Sequence, residues 1–362
     1  MRCGATAASA HAACAALADD RGEGRAEIES FSTLGALPAG TMRGMDTPLR
    51  NPRLGIALVL LAAFLWGTTG TARALADSGL AASWFGSLRL FVAALFFAAL
   101  SALSGSRVRA AASPAASRSG FALAGLCMAG YNLAFFAGIH FTGIALGTAL
   151  ALGSGPLWTG LLQALLLRRR PSASWCTGTG LAVLGGALMA GLADADGIDA
   201  NATGVTLCLG AGLCYAVYTL VTQRLGAGVP ALTVTLRAFA IAALVALPLA
   251  WISAGVPTLQ QADVLAVLYV GVVTAGVSYL LFGLALRHIS AATGVTLALL
   301  EPVVACVLAA TVLGESVSGP AWLGLVLAIG GVAVVMRAEL HAVPATPASA
   351  HAKPRERSWQ AG

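Results

Sequence analysis

The sequence predicts an all-α integral membrane protein, with ten transmembrane helices arranged as two inverted-topology five-helix repeats. Three observations predict it. Apolar residues (AVILMFWYC) make up 58% of the 362-residue chain and charged residues only 10%, against roughly 25% charged in ordinary soluble domains. A water-soluble core cannot absorb that much apolar surface, so a bilayer is the natural solvent. Apolar runs near the ~20 residues needed to cross a bilayer recur along the chain. Finally, the hydrophobic part repeats itself once, about 147 residues later, far beyond the roughly 20–50-residue period of a solenoid.

The runs fall at 54–75, 83–103, 120–139, 143–167 and 174–192 within a first repeat, residues 52–193. In the second repeat, residues 203–338, they fall at 203–223, 231–251, 262–285, 291–314 and 319–337. Every backbone amide in hydrocarbon must be bonded locally, which leaves helices or a closed barrel. Barrel strands alternate apolar and polar residues over about ten positions. These runs are continuously apolar and rich in Gly and Ala, so they are helices.

Matching segments carry the repeat. Leu88-Arg89-Leu90-Phe91 returns as Leu236-Arg237-Ala238-Phe239, and Gly147-Thr148-Ala149-Leu150-Ala151-Leu152 as Gly294-Val295-Thr296-Leu297-Ala298-Leu299. Gly155-Pro156 returns as Glu301-Pro302, and Gly185-Gly186 as Gly330-Gly331. An odd number of helices per repeat forces the halves into opposite orientations, a construction that many secondary transporters use for alternating access.

Charge orients the bundle. Arg43, Arg50 and Arg53 precede the first helix; Arg107, Arg109 and Arg118 lie between the second and third; Arg168, Arg169 and Arg170 lie between the fourth and fifth. Arg224, Arg287 and Arg337 follow the sixth, eighth and tenth. The opposite side carries Arg73 alone, with Asp77, Asp194, Asp196, Asp199, Asp263 and Glu315. Lys and Arg mark cytoplasmic loops, so both termini are expected inside and residues 194–201 outside. These loops and tails account for the net charge of +6, and no nucleic-acid partner is needed to explain it.

Residues 1–51 read as a disordered leader with a true start at Met42 or Met45, and residues 339–362 as a disordered cytoplasmic tail. The cysteines show no metal-ligand spacing and no pair in the outer loops, so they read as small apolar packing residues. Neither a metal nor a cofactor is expected. Asn201-Ala202-Thr203 matches a glycosylation acceptor, but it abuts a helix.

Ionisable residues inside the membrane cost at least ~2.5–3.5 kcal/mol and mark functional sites by default. Three stand out: Arg89, Arg237 and Glu301. The arginines occupy equivalent repeat positions at mirror-related depths. They read either as symmetric gate elements that attract anionic groups or as side chains snorkelling to their interfaces. Glu301 is the only acidic residue well inside a run, near mid-helix, and its repeat partner is Gly155. A role in proton coupling or in meeting a substrate ammonium competes with a salt bridge to an intramembrane arginine. Pro156 and Pro302 each remove a backbone donor, so they read either as paired helix interruptions facing a central site or as packing kinks. Trp66, Tyr131, Asn132, Trp158, Tyr215, Tyr218, Ser278 and Tyr279 are polar-edged groups at depth, candidates for a cavity wall. No zinc motif, Ser/His/Asp set or paired carboxylates appear, so no catalytic residue is assigned and an enzyme is unsupported. The rings of charge or repeated carbonyls of a channel are missing too.

Several segments carry a family resemblance: Ala62-Ala63-Phe64-Leu65-Trp66-Gly67, the Arg89 position, Tyr215-Ala216-Val217-Tyr218, Ser290-Ala291-Ala292, and Leu299-Leu300-Glu301-Pro302-Val303-Val304 followed by Leu313-Gly314-Glu315. Over about residues 52–338 the chain resembles the drug/metabolite transporter superfamily, in its ten-helix EamA-like branch. The resemblance implies a secondary transporter in a bacterial cytoplasmic membrane that exports a small amino acid-like or drug-like metabolite, with or without proton coupling. It also implies a central cavity between the halves, with the fifth and tenth helices peripheral. Its partners are the lipid bilayer, a small-molecule solute and, in the coupled case, protons; the oligomeric state is left open. One departure is that Arg168-Arg169-Arg170 stand where the family's first repeat usually carries an acidic residue. Uptake, a nucleotide-sugar cargo and a non-transporting membrane protein remain the alternatives.

Overall fold

The computed structural model describes residues 51–77, 79–104, 115–166, 168, 170–191 and 201–341. Ten helical elements follow in chain order: α1 (Pro52–Leu75), α2 (Ala82–Leu103), α3 (Ala115–Thr142), α4 (Ile144–Leu166), α5 (Ala173–Met189), α6 (Ala202–Gly226), α7 (Ala231–Ala254), α8 (Gln261–Ala285), α9 (Ala291–Val312) and α10 (Gly319–His341). Among the described residues nine are long and apolar enough to cross a membrane, and α5 is a shorter apolar helix of 17 residues. That length sits at the lower limit for spanning a bilayer. Of the expected leader only Asn51 is described, and the arginines at 107 and 109 and the segment 192–200 lie outside the described residues.

Local chemistry sets the boundaries. The Asn51 side chain accepts a bond from the Leu54 amide at 3.2 Å, and Pro52, which has no N–H to leave unbonded, takes the first helical position. Ser172, Asn201 and Ser290 cap α5, α6 and α9 in the same way, at 3.1, 2.9 and 3.1 Å. Asn201, first residue of the glycosylation-type triplet, thus serves as a helix cap. α3 and α7 stop at Gly143 (φ 81) and Gly255 (φ 65), whose left-handed backbone a side chain would strain. α3 outruns the expected 120–139 at both ends. α10 continues to His341, past the expected start of the tail at 339, because Arg337-Ala338-Glu339-Leu340 are strong helix formers.

Two helices depart from uniform winding. In α8, Gln261–Tyr269 and Ser278–Ala285 are α-helical while Val270–Val277 form a π-helix. α9 is broken into Ala291–Leu297 and Leu300–Val312. Pro302 has no N–H to give to the Ala298 carbonyl, which accepts from Glu301 instead at 2.9 Å; Leu299 similarly bonds Thr296 at 3.1 Å. Such three-residue bonds tighten the turn and end the first segment. Pro156 behaves differently. α4 runs through it unbroken, which corrects the expectation of two matched interruptions. α6 packs closely on this stretch of α4: a Cβ on Gly212 would meet Ser154 Oγ and the Ala151 carbonyl.

Close approach of helices depends on glycine elsewhere too. α5 and α10 meet at Gly178–Gly331 and Gly185–Gly324, where a Cβ on any of the four would run into the partner's backbone. α3 packs on α6 and α7, α2 on α7, and α1 on α8 and α9. Large apolar side chains such as Leu95, Leu244 and Leu323 face outward, which suits a surface solvated by lipid.

Candidate functional site

A small cavity, of about 30 Å³, lies among helices from both halves of the chain. Seven helices wall it: Trp66 and Thr69 from α1, Arg89 from α2, Tyr131 from α3, Leu152 from α4, Tyr215 from α6, Tyr279 from α8, and Val295, Ala298, Leu299 and Glu301 from α9. The break in α9 is therefore part of the wall. Irregular backbone at membrane depth is tolerated where it lines a cavity.

The break also changes what Glu301 is. Expected near mid-helix, it instead stands in the first turn of the second segment of α9. Helix N-termini favour negative charge, because amide N–H groups there lack intrahelical acceptors. Across the cavity, Arg89 donates from Nη2 to the Asn132 Oδ1 at 3.2 Å, while its buried Nε has no partner. Arg89 and Glu301 share the cavity, yet no ion pair joins them. Opposite charges in a low-dielectric site interact strongly over several ångströms, so each tempers the other's cost while both stay open to a ligand.

Aromatic rings form most of the remaining wall. Tyr131 and Tyr215 lie 5.4 Å apart by ring centroids, and Trp66 meets Tyr279 edge-on at 5.0 Å. One turn further along α6 and α8 come Tyr218 and Phe282, both fully buried. Phe239 packs on Tyr279 at 4.9 Å and Phe97 on Phe239 at 5.3 Å. Edge-to-face contacts of this kind stabilise by about 0.5–1.5 kcal/mol beyond burial. These rings form a buried aromatic cluster behind the wall residues Trp66, Tyr215 and Tyr279.

The candidates named from sequence divide cleanly. Glu301, Arg89, Trp66, Tyr131, Tyr215 and Tyr279 meet at the cavity, with Asn132 behind Arg89. Arg237 does not join them: it is exposed, and its guanidinium carbon lies 4.5 Å from the centre of the Phe121 ring. Of the two readings open for the arginine pair, this placement fits a side chain snorkelling to its interface. α7 presents that face to the start of α3 and to the outside of the bundle, where an aliphatic stem on apolar surface and a cation over a ring are both favourable. Trp158 donates to the Leu209 carbonyl at 3.1 Å and ties α4 to α6. Ser278 donates to the Val273 carbonyl at 3.0 Å within α8. Sequence reasoning missed Thr69, whose hydroxyl follows Trp66 by three residues and so shares its helix face.

A polar cavity walled by long apolar helices from both halves of the chain is the arrangement expected of a membrane transporter. The comparisons agree. The EamA-like transporter family matches residues 53–191 and again 202–337, and the chain belongs to that family. It is 36% identical to the uncharacterized transporter YwfM of Bacillus subtilis over 280 residues, which cover 77% of this chain and 93% of that protein. It is also 34% identical to the threonine/homoserine exporter RhtA of Salmonella typhimurium over 177 residues, 49% of this chain and 57% of the relative. A crystal structure of a protein with 19% identity aligns at a TM-score of 0.68, covering 80% of this chain and all of that one, and shares its fold.

Proposed function

We propose that the protein exports a small zwitterionic metabolite of the amino acid class by alternating access. One observation carries this reading: a guanidinium and a carboxylate share the central cavity without pairing to each other. Intramembrane charges are costly and mark substrate pathways. A ligand that brings a carboxylate to Arg89 and an ammonium to Glu301 supplies both missing partners at once. Aromatic walls and the Thr69 hydroxyl suit a short, partly apolar side chain. A proton on Glu301 removes the negative charge that meets the ammonium, so proton and substrate compete there, which is a route to coupling.

The export direction draws on the name of the RhtA relatives, threonine/homoserine exporters. The machinery is read as two inverted five-helix repeats, residues 52–193 and 203–338, with both termini cytoplasmic. Helix pairing across the halves supports this arrangement, as does the double match to one family. The aromatic cluster around Tyr218 and Phe282 is then the closed side, facing the cytoplasm.

The test is counterflow. Purified protein in liposomes preloaded with individual amino acids should accumulate labelled substrate saturably for at least one zwitterion. Flux confined to uncharged or purely cationic solutes would overturn the zwitterion reading. For direction, loaded cells overproducing the protein should lose that amino acid faster than cells without it.

A further inference from the structure

We propose that Asn132 is a positioning residue, which aims the Arg89 guanidinium into the cavity without neutralising it and thereby makes the site selective for a substrate carboxylate. The inference rests on the assignment of Arg89 to the substrate carboxylate given above. Asn132 is 1% exposed and lies outside the cavity wall, next to the wall residue Tyr131. Its Oδ1 accepts from Arg89 Nη2 at 3.2 Å, and its Nδ2 is buried without a partner. An amide left half unbonded in a membrane interior is a costly choice. The bond to Arg89 is the use to which the position is put.

The neighbouring helix is shaped for it. Gly86, one turn before Arg89 on α2, has no Cβ; one built there would come within 2.8 Å of Asn132 Nδ2 and into the Phe136 ring. α2 is thus notched where the amide enters, so that helix, amide and guanidinium are set against one another. A neutral acceptor suits this task. Aspartate in that place would pair with the guanidinium and satisfy the charge meant for the ligand. An apolar residue would leave a long, rotamer-rich side chain unsupported. The amide oxygen takes one of the five guanidinium N–H donors, and Arg89 still lines the cavity, so other donors remain for a substrate carboxylate.

The probes are L-threonine and L-threoninamide, identical except that the second lacks the carboxylate, measured with full-length protein in liposomes. Wild type is expected to take threonine saturably and in preference to the amide. Asn132→Asp should weaken threonine by roughly tenfold or more while leaving threoninamide within about twofold. Asn132→Leu, branched in the same way though bulkier and without an acceptor, should produce the same split and carries the test if the aspartate variant fails to insert. Wild-type selectivity in both Asn132 variants, alongside its loss in Arg89→Ala, would overturn the inference and leave the role of Arg89 standing. Equal weakening of both ligands would be structural damage and would overturn it too. Unchanged selectivity in Arg89→Ala, or no saturable threonine flux in wild type, would instead sink the assignment of Arg89 and this inference with it.

Discussion

Arg89 and Arg237 stand in matching Leu-Arg-x-Phe frames, and both side chains meet α3, yet they meet different parts of it. Arg89 bonds the buried Asn132 and reaches the central cavity; Arg237 lies exposed over Phe121 near the start of α3. The same contrast recurs one helix on. Glu301 enters the cavity from a broken α9, whereas its counterpart Gly155 sits inside an unbroken α4 against Tyr215 and Val295. Duplication keeps a residue's place along its helix. It does not keep the neighbours that decide whether the residue faces a cavity or the lipid. The charged groups at the cavity come from one version of each duplicated position, an asymmetry that suits the proposed zwitterionic substrate.

Glu301 and Gly155 should differ most in their response to substitution. Glu301→Gln keeps the shape and removes the charge, and should cut flux of an ammonium-bearing substrate on the order of a hundredfold. Gly155→Ala adds a Cβ that makes only ordinary contacts at 3.4 and 3.5 Å, and should stay within about threefold of wild type. Counterflow at matched protein amounts checks both. Wild-type flux in Glu301→Gln would remove the carboxylate from the site.

Next in size is the α5–α10 crossing, which contributes nothing to the cavity wall. Gly331→Ala places a Cβ against the Gly178 carbonyl and should destabilise by about 1–3 kcal/mol. Gly330→Ala, beside it, meets open space and should be neutral or slightly stabilising, by up to ~1 kcal/mol, through helix propensity. Thermal unfolding in detergent separates the two, and substrate affinity should be unchanged in both. An affinity loss in Gly331→Ala would connect this peripheral pair to the site.

Trp158→Phe should have the smallest effect. It removes a hydrogen bond to the Leu209 carbonyl, a loss of about 1 kcal/mol of stability. It should leave transport alone, because Trp158 lies outside the cavity. A change in substrate preference would place it back among the site residues.

The helices and most of the wall were legible from the sequence because hydropathy and intramembrane charge are strong, local signals. Arg89 and Glu301 stood out as charges where hydrocarbon should be, and Trp66, Tyr131 and Tyr215 as polar-edged rings at depth. Other features depended on contacts that no local pattern encodes. Pro156 and Pro302 read alike in the sequence, yet α4 runs through the first and α9 breaks at the second. The facing of Arg237 depends on how α7 leans on α3. Thr69, Ala298 and Leu299 enter the wall only because α1 and the α9 turn converge there. The π-helical winding of Val270–Val277 likewise has no counterpart in the apolar run that contains it.

In the proposed function one arginine of the duplicated pair, Arg89, reads the substrate carboxylate. The most direct test is the affinity ratio of L-threonine to L-threoninamide in wild type, Arg89→Ala and Arg237→Ala, each reconstituted at equal density. The ratio should be well above one in wild type and in Arg237→Ala and fall to near one in Arg89→Ala. A ratio that falls equally in both variants would contradict that assignment, restoring the symmetric pair in place of the single site.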